Sequence, residues 1–100
     1  MREPFTVCVD TDILDLAEDF LDNRRRVADR AQEAAARSDL DLLRRIGHEL
    51  KGTAGSYGFR ELSVIGASLE TAAIAGDMGQ ADEALARMAD FLTHVSIVPR

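Results

Sequence analysis

The chain's two prolines, Pro4 and Pro99, stand at its extreme ends, so nothing between them removes a helical backbone donor or clashes with a preceding turn. The whole middle is free to be helical, and the apolar residues use that freedom. Between Asp12 and Arg37 they recur at Ile13, Leu16, Ala17, Phe20, Leu21, Val27, Ala28, Ala31 and Ala35, with charged residues in the intervals. That is a helical period and not the alternation of a strand. The stripe weakens across 22–26, where Asn23 and three arginines interrupt it, leaving either one long helix or two consecutive ones. Ser38 and Asp39 then suit a stop and a new N-cap, ahead of a second stripe at Leu40, Leu43, Ile46, Leu50, Ala54 and Tyr57. A third stripe, Leu62, Ile65, Leu69, Ala72 and Ala73, closes at Gly76, which suits a left-handed C-cap. Asp77 caps the last helix, whose seam is Ala81, Ala84, Leu85, Met88, Phe91, Leu92 and Val95. Short connections between helices of similar length make antiparallel neighbours. The expectation is an all-α, antiparallel up-and-down four-helix bundle over residues 10–98, with room for a short extra N-terminal helix. Residues 1–9, with Phe5, Val7 and Val9, are expected to lie extended against it.

Composition narrows the setting. One hundred residues at 46% hydrophobic and 30% charged suffice for one packed core, so a single domain is expected. The excess of 18 acidic over 12 basic residues, net −6, works against affinity for nucleic-acid phosphates or anionic lipid. No stretch approaches the roughly 18 apolar residues of a membrane span, and the start, MREPFTVCVD, lacks a signal peptide's apolar run. The lone Cys8 rules out an internal disulfide framework and a multi-cysteine zinc site. A cytoplasmic protein is expected, monomeric and without nucleic-acid or membrane partners.

The informative segment is Arg44 to Leu62, RRIGHELKGTAGSYGFREL. It holds Gly47, Gly52, Gly55 and Gly58, four of the seven glycines, and each glycine inside a helix costs about 0.5–1 kcal/mol relative to alanine. Such a concentration needs a reason, whether a loop, close helix packing or clearance for a partner. On a helical wheel Leu43, Ile46, Leu50 and Tyr57 fall opposite His48, whereas Asp41, Arg44, Gly52 and Gly55 share its side. His48 therefore faces solvent over ground free of side chains. Lys51, the only lysine against eleven arginines, projects beside it at i+3. Read singly it is a solvated charge. Beside His48, an ammonium disfavours a second positive charge on the ring and can pair with an anion attached to it. Arg44, Arg45, Lys51 and Arg60 outnumber Asp41 and Glu49 between positions 41 and 60, a local positive balance able to steer an acidic partner site.

The run His48-Glu49-Leu50-Lys51-Gly52-Thr53-Ala54-Gly55-Ser56-Tyr57-Gly58 resembles the H-x-L-K-G-x-x-G-x-x-G signature of bacterial histidine phosphotransfer (HPt) domains. Phe20-Leu21-x-x-Arg24, the junction from Ala35 to Leu42, Leu69-Glu70 and the Gly76-Asp77 turn are similar to the family too, so the likeness spans nearly the whole chain. It implies a helical bundle whose exposed histidine takes a phosphoryl group from an aspartate of one receiver domain and passes it to another. By that resemblance His48 is the phospho-acceptor and Lys51 its electrostatic support. Gly52, Gly55 and Gly58 give clearance, and the local positive balance adds Arg44 and Arg45 as partner-binding residues. Glu70 reads first as surface charge and second as an acceptor near the His48 ring. Receiver domains of response regulators or hybrid histidine kinases are the implied partners, with the magnesium and acidic pocket on their side and no cofactor on this one. The chain would be a carrier with a covalent phosphohistidine and not a turnover enzyme. The family often has proline where Glu18 stands, which leaves the join between the first two helices open.

Two other readings stand beside this one. The phospho-accepting domain of a chemotaxis-type histidine kinase shares bundle and motif, and a non-catalytic helical interaction module would use the glycines only for packing. His94, on the last helix without a lysine or glycine neighbour, reads as a surface residue. Two histidines on different helices give no metal-ligand spacing, and Gly52 stands where H-E-x-x-H requires its second histidine. GTAGSYG lacks the G-K-[ST] ending of a phosphate loop, and no kinase or ATP-binding signature is present.

Overall fold

The computed structural model describes residues 5–99. Four helices form the body: α1 (Leu14–Ala36), α2 (Leu40–Ala54), α3 (Arg60–Ala75) and α4 (Met78–His94). Each packs against the next, and α1 closes on α4, so the expected four-helix bundle is the fold observed. The connections are as short as the sequence implied. Asp39 caps α2 by accepting from the Leu42 N–H (3.1 Å), and Asp77 caps α4 by accepting from the Gln80 N–H (3.0 Å). Gly76 ends α3 at φ 70°, where its amide reaches back to Ala72 and Ala73. Ser38 takes φ 54° to reverse the chain between α1 and α2.

α1 is one uninterrupted helix of 23 residues, so the charged interruption at 22–26 does not break it. In place of a separate N-terminal helix there is a single 3-10 turn, Thr11–Ile13. Arg24 explains the continuity. Its side chain lies along the core edge with its guanidinium 5.1 Å from the centre of the Phe20 ring, so an apparent gap in the stripe is filled by the stem of an arginine. Arg25 reaches α4 and donates to the Leu92 carbonyl near that helix's end. Leu16, assigned to the stripe, is instead 55% exposed.

All five aromatic residues join one run of ring contacts through the core. Tyr57 stacks on Phe20 (4.7 Å), Phe20 on Phe59 (5.8 Å), Phe59 meets Phe91 edge-on (6.3 Å), and Phe91 meets Phe5 (4.9 Å). Phe5 belongs to the extended N-terminal segment, whose residues 1–4 lie outside the described residues. This segment does more than rest on the bundle. β1 (Thr6–Val9) pairs in parallel with β2 (Ser96–Pro99), Thr6 opposite Ser96 and Val9 opposite Pro99. The helical part was expected to run to residue 98, yet α4 ends at His94, because Val95 turns extended and Ser96 donates its N–H to the Phe5 carbonyl.

The helix pair that matters most is α2 with α3. Gly47 and Gly66 face each other across it. A Cβ on Gly47 would lie 2.7 Å from the Gly66 carbonyl oxygen and 2.6 Å from the Glu70 amide nitrogen. One on Gly66 would lie 2.7 Å from the Lys51 amide nitrogen. Only hydrogen at both positions lets the two backbones come this close.

Candidate functional site

His48 sits in the third turn of α2, on the side away from Leu43, Ile46, Leu50 and Ala54, all of which are buried. The 3.6-residue period that buries those four side chains turns His48 outward. Its side chain is 68% exposed, the expected solvent-facing position. Two neighbours meet it. The Glu70 carboxylate, from α3, reaches Nδ1 of His48 through Oε2 at 2.7 Å and accepts from Nζ of Lys51 through Oε1 at 2.6 Å. Glu70 is thus no plain surface charge: it is 15% exposed and bridges both residues singled out in the motif.

The bridge depends on the glycine contact. Gly47 and Gly66 bring α3 close enough for a glutamate four residues beyond Gly66 to touch a histidine one residue beyond Gly47. Ser63 fixes the same pair lower down, donating its hydroxyl to the Lys51 carbonyl at 2.7 Å. Neither Gly66 nor Ser63 stands out in the sequence, since their roles depend on which helix lies opposite.

Charge follows from these contacts. The Lys51 ammonium, hydrogen-bonded to Glu70, holds that carboxyl below the usual carboxylate range; partial desolvation opposes the shift and the bond to His48 adds to it. An ionised Glu70 can only accept, so Nδ1 of His48 carries the proton, leaving the neutral ring's lone pair on Nε2. The Lys51 charge is spent on Glu70, and so the ring meets a carboxylate and not the bare cation expected beside it. Arg44 and Arg45 both turn to Asp41, at 3.0 and 2.9 Å. The hydrogen bond from Arg44, then the charge of Arg45, lower the Asp41 pKa. The expected positive patch is therefore partly neutralised from within.

The motif glycines have separate reasons. Gly52 and Gly55 have no atom within 4 Å of the place a Cβ would take, which matches the open ground expected around His48. Gly58 differs. It lies past a 3-10 turn, Gly55–Tyr57, at φ 85°, with its N–H on the Gly55 carbonyl. The conformation is what requires glycine there, and it swings Phe59 into the core.

His94 sits on α4 with Nδ1 on Asp90, 2.9 Å from its carbonyl and 3.1 Å from its carboxylate. Among the described residues no three histidine, cysteine, aspartate or glutamate side chains gather to hold a metal, and no helix is long and apolar enough to cross a membrane.

A family model, that of the Hpt domain, matches residues 15–96, from the first turn of α1 to the start of β2. The chain belongs to the Hpt domain family. No curated protein and no solved structure matches it significantly. Membership carries histidine phosphotransfer in phosphorelay signalling, and receiver domains of response regulators or hybrid kinases as the partners of such domains. In this Hpt domain the match encloses His48, Lys51 and Glu70, and with them the close-packed α2–α3 pair.

Proposed function

We propose that this Hpt domain carries a phosphoryl group on Nε2 of His48, taking it from the aspartyl phosphate of one receiver domain and giving it to the aspartate of another. The observation that carries the reading is the Glu70 bridge: one carboxylate holds Nδ1 of an exposed histidine while an ammonium pins that carboxylate in place. In the forward step the Nε2 lone pair attacks phosphorus, the bond from phosphorus to the aspartyl oxygen breaks, and the aspartate leaves as carboxylate. Positive charge builds on the ring as the N–P bond forms, and Glu70 stands on the Nδ1–H to meet it. The return step reverses each move.

The remaining residues have supporting parts. Lys51 orients Glu70 and lies near the arriving phosphoryl oxygens. Gly52 and Gly55 leave room for the rim of the receiver, and Arg44 and Arg45 offer the partner positive charge from the preceding turn. The divalent metal of the exchange belongs to the receiver, and this domain has no turnover of its own. We further propose a cytoplasmic, monomeric carrier built of one domain.

The test is transfer of label from a phosphorylated receiver. His48→Gln should fold and take up no phosphoryl group, and His94→Gln should label like the parent. Label retained by His48→Gln would sink the assignment.

A further inference from the structure

On the flank of α2 away from Glu70 lies a groove of about 400 Å³. Asn23, Arg24 and Arg30 of α1 wall one side and Arg45 and Glu49 of α2 the other, over an apolar floor. Within a chain of net −6 this is a concentration of positive charge. Arg44 and Arg45 share the single carboxylate of Asp41. Arg24 has Glu49 at 3.6 Å, and Arg30 makes no ion pair among the described residues. The lining itself thus holds three guanidinium groups and one carboxylate, Glu49, an excess of two positive charges, with Asp41 outside the groove shared between Arg44 and Arg45.

Arg24 is the second observation. Its side chain is only 9% exposed, packed on the Phe20 ring, with Nη2 turned to the Asn23 side-chain oxygen. Its Nε–H has no hydrogen-bond partner. Buried guanidinium donors are normally all used. The unused donor shares an edge of the guanidinium with Nη2, which Asn23 and, at 3.6 Å, Glu49 already engage, so an oxyanion would take the Nε–H and compete for Nη2 to complete the fork.

We propose that the α1–α2 groove binds a doubly charged anion of the phosphate class, with Arg24 gripping it from below and Arg30 and Arg45 closing over it. Two charges in excess favour a dianion over a carboxylate, which would leave one guanidinium unmatched. The groove's size suits a single phosphate or a small phosphomonoester and not a nucleic-acid backbone. His48 has no part in the site, and Arg45 is the one residue it shares with the proposed receiver contact.

The experiment is titration of the ¹⁵N-labelled full chain with inorganic phosphate and, separately, with glycerol 3-phosphate. Both are run at a pH where the ligand is doubly charged and at constant ionic strength set with sodium chloride. The Nε–H resonance of Arg24 is followed beside that of Arg87, which pairs with Glu61 outside the groove. The expected result is a saturable shift of Arg24 that Arg87 does not share. Arg30→Gln should weaken it at least fivefold without changing the melting temperature, and His48→Gln should leave it intact. Tighter binding of glycerol 3-phosphate would assign the site to a phosphomonoester, and equal binding to the free ion. A shift that never saturates, that Arg87 shares, or that Arg30→Gln leaves unaltered overturns the proposal. Arg24→Met, which keeps the stem over Phe20 and removes the fork, should abolish the response.

Discussion

Alanine at Gly47 and at Gly52 should move stability in opposite directions, though both glycines lie in one helix five residues apart. At Gly47 the new methyl would sit 2.6 Å from the Glu70 amide nitrogen and 2.7 Å from the Gly66 carbonyl. Ordinary carbon contacts begin near 3.5 Å, so α3 must retreat by about 1 Å. Both obstacles are backbone, which no rotamer change can relieve, and so the upper end of overpacking costs applies, about 3 kcal/mol. Helix propensity returns about 1 kcal/mol, for a net loss of about 2 kcal/mol and a fall in melting temperature of about 10 °C for a domain this small. At Gly52 nothing lies within 4 Å, so the propensity gain stands alone and the melting temperature should rise by several degrees. Thermal unfolding followed by far-ultraviolet circular dichroism measures both. The same retreat of α3 would stretch the 2.7 Å link from Glu70 to His48 beyond hydrogen-bond reach. Gly47→Ala should therefore transfer poorly even where it is fully folded. A Gly47→Ala variant within about 0.5 kcal/mol of the parent, or a destabilised Gly52→Ala, would refute the reasoning that separates the two.

Gly52→Gln should fold like the parent and transfer slowly, because bulk there occupies space the receiver needs; unfolding in step with lost activity would point to packing instead. Lys51→Ala should slow transfer with little change in melting temperature, and Lys51→Arg should recover only part of the rate, since a broad guanidinium is not a compact point charge. Glu70 has its pKa lowered from 4.5 in the folded state, so its contribution to stability is complete above that value and fades as pH falls through the depressed one. The melting temperatures of the parent and Glu70→Gln should accordingly differ at neutral pH and converge in acid. Gly58→Ala should cost about 1–2 kcal/mol through its left-handed backbone, and Gly58→Asn less, as urea titrations would show.

What could be read beforehand was whatever a few neighbouring residues decide. Asp39, Asp77 and Gly76 act within one turn of helix, and their types announce it. The buried stripes of α3 and α4 follow from period alone, as does the outward face of His48. Properties needing a second element were hidden. Arg24 looks polar in sequence, yet Phe20 and the α1–α2 interface bury it. Gly47 was visible as an oddity among four glycines, while its partner Gly66 sits unmarked in a run of small residues. Glu70 could be suspected by resemblance and by its place on the neighbouring helix, and no more, because its contact with His48 spans 22 positions and exists by virtue of that glycine pair. The β1–β2 pairing joins the two ends of the sequence and leaves no local periodicity to detect.

That pairing also bears on how the molecule comes apart. Joining Thr6 to Ser96 closes a loop that spans all four helices, and the entropy of closing it is lost before any strand contact compensates. Neighbouring helices such as α2 and α3 close far shorter loops and can associate first. The strand pair is then expected to form after the folding barrier, as a clasp fastened over a finished bundle. Interactions absent from the transition state govern the rate of unfolding and leave the rate of folding alone. Weakening the two short strands should accordingly shorten the lifetime of the native bundle, and loosening the glycine-lined helix pair should slow its formation, as folding and unfolding rates measured against denaturant would show.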